Sequence, residues 1–118
     1  MNGKITTAAT ITHAGTVVFD GAAYKTGSGT GNWKVAPIPW PGLVPPPPVG
    51  QVMITFDEPI ADSYSVLVTA QRSMDAPMLT ANWGDANKSG FVVVLFNPVA
   101  TLSYQTVRNG GFSFLVFH

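Results

Sequence analysis

A chain of 118 residues with no cysteine has the size of one small domain and holds no disulfide, thiolate metal site or cysteine nucleophile. Apolar residues make up 46% of it and charged residues only 10%, well under the usual share of roughly a quarter. The formal net charge is zero, so the surface is thinly protected against self-association, and the scattered Lys4, Lys25, Lys34, Arg72, Lys88 and Arg108 form no patch for nucleic acid.

The elements follow in chain order. "KITTAATIT" and "TVVF" suit strands, with a turn expected at His13, Ala14 and Gly15. This opening stretch lacks the continuous apolar core of a secretory signal. "FDGAAY" places an Asp-Gly turn between Phe19 and Tyr24. In "KTGSGTGNW", Gly27, Gly29 and Gly31 alternate with small polar residues, a pattern expected to form a flexible loop. Seven of the ten prolines then crowd into residues 37–48. Proline fixes its own φ and holds its predecessor extended. With Pro45, Pro46, Pro47 and Pro48 in a row, the segment predicts a polyproline II rod reaching about 35–40 Å at ~3.1 Å per residue.

Beyond Gly50 the strand signals strengthen. "QVMITF" alternates Val52, Ile54 and Phe56 against Gln51, Met53 and Thr55, and "YSVLVTA" alternates in the same way. "DEPIADS" between them is a turn or loop. "APMLTANW" predicts a strand and "GDANKSG" a turn. "FVVVLF" is apolar on both faces, which places it centrally or under a partner. It is also far too short to span a bilayer, so no membrane insertion is expected. "NPVATLSYQTV" is a loop leading to a weak strand over 102–107, and "FSFLVF" forms a last strand held in the sheet.

Strands recurring at roughly twelve-residue spacing, with turns between and no helical period, predict an all-β chain. The expected architecture is an antiparallel β-sandwich with an extended N-terminal region and a polyproline II linker. The expected division is a docking region over 1–36, a proline-rich linker over 37–49 and a sandwich over 50–118.

Catalytic chemistry has little material here. His13 lies in an early turn and His118 is the last residue, and no metal-ligand spacing joins them. Asp57, Glu58 and Asp62 share one loop that either binds calcium or is simply solvated. The serines lack a nucleophile-elbow context, and "KTGSGTGNW" lacks the Gly-Lys-Ser/Thr ending of a phosphate loop. No enzyme activity, cofactor or metal is expected. Trp33, Trp40 and Trp83 sit in or beside loops. They either stack on sugar faces, which an indole suits, or cover the core and anchor a strand end.

The run "GQVMITFDEPIADSYSVLVTA…NKSGFVVVLFN…GGFSFLVF" resembles the C-terminal β-sandwich modules of bacteriophage tail-fibre and minor tail proteins, and likewise H-type lectin domains. The likeness lies in a strand ending in F-x-x-P, an S-x-V-L-V-T strand, a turn closing on "GF" before a hydrophobic strand, and an aromatic-rich last strand. It covers roughly residues 50–118. The first 36 residues and the proline segment stand outside it, and "FSFLVF" replaces the lectins' tryptophan-containing final strand, so no sugar-binding residue carries over. The resemblance implies a structural, non-enzymatic virion surface protein of a tailed phage: a tail-tip, fibre or capsid-decoration component, commonly a homotrimer. Its partners would be other virion proteins and, at the particle surface, a host glycan. Pro45, Pro46, Pro47, Pro48, Phe91, Val93, Phe112 and Phe114 are the expected oligomer or partner contacts. A lectin-like carbohydrate-binding module using the loop tryptophans is the alternative.

Overall fold

The computed structural model describes residues 10–38, 50–60, 63–71, 79–96 and 109–118. They form eight strands: β1 (Ile11–Phe19), β2 (Tyr24–Thr30), β3 (Trp33–Pro37), β4 (Gln51–Phe56), β5 (Ser65–Ala70), β6 (Thr80–Asn87), β7 (Gly90–Phe96) and β8 (Phe112–Phe117). These make two antiparallel four-stranded sheets, ordered β2-β1-β8-β5 (sheet A) and β3-β4-β7-β6 (sheet B). The all-β sandwich is therefore as the strand pattern predicts, and no helix occurs among the described residues.

Alternation decides which side chains meet between the sheets. Val52, Ile54 and Phe56 of β4 face Phe112, Phe114 and Val116 of β8, and all six are buried. Each such side chain contributes about 1.5–3 kcal/mol by leaving water. The doubly apolar β7 is central in sheet B, between β4 and β6. Its inward Phe91, Val93 and Leu95 join the core, while Val92 is shielded on the opposite face.

The sandwich is not confined to residues 50–118. β1 lies between β2 and β8, and β3 pairs with β4. The first three strands thus complete both sheets and lie within the sandwich. The proline segment's course lies outside the described residues, as do Trp40, Pro45, Pro46, Pro47, Pro48, Asp62 and the weak strand at 102–107. Its flanks are described, however. Ile38 donates its N–H to the Gln51 carbonyl at 2.8 Å, next to the Pro37–Val52 pair. The residues on either side of the segment therefore belong to one antiparallel pair.

Two expected irregular stretches are strands. β1 runs straight through His13, Ala14 and Gly15. β2 takes up the glycine-rich stretch, with Gly27 as the extra residue where the register shifts between Thr16 and Val17. The turn between them is the Asp-Gly turn expected. Asp20 Oδ1 accepts from the Ala22 and Ala23 N–H groups at 2.8 Å each, and Lys25 Nζ stands 2.8 Å from Oδ2. Lys25 first, then those two N–H groups, hold the Asp20 carboxyl well below the usual carboxylate range. β6 continues to Asn87, through residues expected to be a turn, so the β6–β7 reversal falls at Lys88 and Ser89.

A polar latch closes one end. Asn109 Oδ1 accepts from the Tyr24 hydroxyl at 3.0 Å and from the Gly50 N–H at 2.6 Å. The Gly110 N–H donates back to the Tyr24 oxygen at 3.2 Å. This ties the starts of β2, β4 and β8 together. Burial pushes the Tyr24 hydroxyl up to about 12. An unfolded tyrosine ionises near pH 10, so above that pH the unfolded chain loses a proton that the folded chain keeps. Stability therefore falls as pH rises from 10 toward 12. An absorbance titration of native protein is expected to show a late tyrosinate step that Tyr24→Phe removes.

Candidate functional site

The outer face of sheet A holds a shallow, open depression of about 620 Å³. Strand register builds it from two parallel rows. One row runs Thr30, Ala14, Leu115, Leu67 across β2, β1, β8 and β5. The other runs Ser28, Thr16, Ser113, Thr69 across the same strands, with Thr16 and Ser113 hydroxyls 3.2 Å apart. Leu67 is 59% exposed and Leu115 37%. Among the described residues, no charged or titratable side chain lines this surface. It offers an apolar stripe beside a hydroxyl stripe.

A second pocket of about 400 Å³ lies at one end of the sandwich and gathers Thr12, His13, Asn32, Glu58 and His118. Sequence spacing gave no hint that the two histidines share a pocket. The β1–β8 pairing brings them together, since Thr10 and His118 exchange backbone hydrogen bonds at 2.9 and 3.1 Å. His13 Nδ1 lies 3.0 Å from Thr12 Oγ1, and its ring packs on Phe56 at 4.4 Å. Burial lowers its pKa. Among the described residues, no three His, Asp or Glu side chains are placed to hold a metal ion.

The tryptophans and the expected contact residues fare differently. Trp33 is buried: it crosses from β3 to pack edge-on against Phe114 at 4.8 Å and donates its Nε1–H to the Ala14 carbonyl at 3.2 Å. It covers the core and is no platform for a sugar. The paired glycines Gly15 and Gly29 make the notch that receives it. Trp83 keeps 38% of its surface, at an inward-facing position on edge strand β6 beside Phe91. Phe91, Val93, Phe112 and Phe114 are 3% exposed or less. Their expected role as partner contacts is wrong, because each faces the opposite sheet of its own sandwich. Leu115, next to Phe114 along β8, and Leu67, its pairing partner on β5, face outward instead.

Fold and surface together define a β-sandwich with an apolar-and-hydroxyl depression on the outer face of sheet A, uncharged among the described residues. No protein-family model, curated protein or solved structure matches the chain.

Proposed function

We propose that the chain is a structural, non-enzymatic module that works by assembly, with copies of itself and with neighbouring proteins on the surface of a phage particle. The observation that carries the assembly reading is the outer face of sheet A, where exposed Leu67 and Leu115 line a depression without a single charge. Exposed apolar surface in a continuous patch marks contact sites. The low overall charge supports the same reading. The placement on a virion rests on the likeness of residues 50–118 to tail-fibre and minor tail modules. An antibody against the chain, applied to particles purified from the source culture, tests that placement. Label on the particle surface is the expected result, and chain found only in the soluble fraction, with bare particles, contradicts it.

The carbohydrate-binding reading keeps one observation in its favour, the half-exposed indole of Trp83. Glycan binding lost on Trp83→Ala with the fold intact would revive it; Trp33→Ala tests only the core.

A further inference from the structure

The four sheet edges are unequal. Edge strands invite pairing with another chain unless a charge, a proline, a bulge or a short length prevents it. β2 carries Lys25 and the Gly27 bulge. β3 carries Lys34 and ends in Pro37. β6 carries Asp85 at φ 48° and a register shift between Gly84 and Asn87. β5, "SVLVTA", carries no charge, proline or glycine and pairs with β8 without any shift. Among the described residues, nothing pairs with its other side.

The pairing with β8 fixes the phase of its backbone groups. The Gln71 N–H donates to the Gly111 carbonyl at 2.8 Å. Backbone groups alternate along an antiparallel strand, so Ser65, Leu67 and Thr69 turn theirs toward β8. Val66, Val68 and Ala70 turn theirs to the free edge.

We propose that β5 pairs antiparallel with β5 of a second copy of this chain, joining two sheets A across a two-fold axis. This rests on the assembly reading above and names its contact. Outer side chains stay outside only if the axis passes through a residue, and an axis at Leu67 makes like meet like along the strand. Leu67 opposes its own copy, Ser65 opposes Thr69, and Val66 exchanges hydrogen bonds with Val68 of the second copy. No charge meets a charge, which fits a second copy better than a charged partner. The row Ala14, Leu115, Leu67 then continues unbroken into the second molecule. Such a contact is isologous and closes as a dimer; the trimer implied by the resemblance would need another surface.

Because the chain has no cysteine, a single introduced thiol reports the contact. Leu67→Cys places two thiols in a non-hydrogen-bonded pair with Cα atoms about 4.5 Å apart, within disulfide range. Mild oxidation is expected to yield a covalent dimer at least about tenfold faster than from Met53→Cys, a control exposed on the outer face of sheet B. Val68→Pro removes an outward N–H without touching the β8 ladder. It is expected to give a monomer of 12.5 kDa with unchanged β-sheet circular dichroism. Disulfide formation no faster than the control overturns the proposal, as does a folded Val68→Pro protein that stays dimeric. Should Val68→Pro not fold, the cysteine rates decide. A wild-type chain that is monomeric at every concentration overturns the assembly reading as well. An oligomeric wild type with slow Leu67→Cys oxidation overturns the β5 contact alone.

Discussion

Gly15→Ala is expected to destabilise the fold by about 3 kcal/mol or more, the upper range for overpacking. A β-carbon at residue 15 would fall within the volume of the Trp33 six-membered ring. The ring has nowhere to go. Across the sheet Gly29 bounds the same notch, where an added β-carbon would sit 2.8 Å from Trp33 Cζ2. Phe114 stands against the indole at 4.8 Å, and its N–H is held by the Ala14 carbonyl at 3.2 Å. Urea unfolding measures the loss. Trp33→Leu in the Gly15→Ala background is expected to recover part of it, since two residues in contact couple. A cost below about 1 kcal/mol, typical of a surface site, would mean that the indole does not occupy this notch.

Phe91→Ala is expected to cost about 3–5 kcal/mol, the range for emptying a core aromatic position. Phe91 is 1% exposed and is the meeting point of the aromatic core. Its ring lies 5.5 Å from Phe114, 6.0 Å from Phe56 and 6.5 Å from both Tyr64 and Trp83. Removing it strips partners from both sheets at once. Thermal or urea unfolding of dilute protein is the check. Were Phe91 a contact for another molecule instead, the isolated chain would keep its stability within about 0.5 kcal/mol and only its native mass would change.

The strands after Gly50 were legible in the sequence because their burial is one-sided. Val52, Ile54 and Phe56 alternate with polar residues, and the pleat turns that alternation into inside and outside. β7 was legible as central because it is apolar on both faces. The first half was not legible in the same way. Gly15, Gly27 and Gly29 carry local turn and loop signals, and only a partner from the other sheet, Trp33, gives two of them a reason to be in strands. That partner arrives through a crossover from sheet A to sheet B that no local pattern encodes.

The contact surface was illegible for a related reason. Parity alone separates Phe114, in the core, from Leu115, outside it, and an apolar run such as "FSFLVF" hides parity. Phe91, Val93, Phe112 and Phe114 thus read as contacts in the sequence, whereas their bulk favours the interior. The rows on the outer face of sheet A also draw on four strands that are distant in sequence, Thr16 and Ser113 among them. The pairing of β5's edge with a second copy is not written in β5 alone either. It emerges by comparison with the three other edges, each of which carries a feature that discourages pairing.

The most direct test of assembly is the native mass of the purified wild-type chain by light scattering over a hundredfold range of concentration. The expected result is a mass that is a multiple of 12.5 kDa and that holds, or rises toward an oligomer, with concentration. A mass of one chain throughout that range contradicts it, and the depression on sheet A would then be a solvated surface.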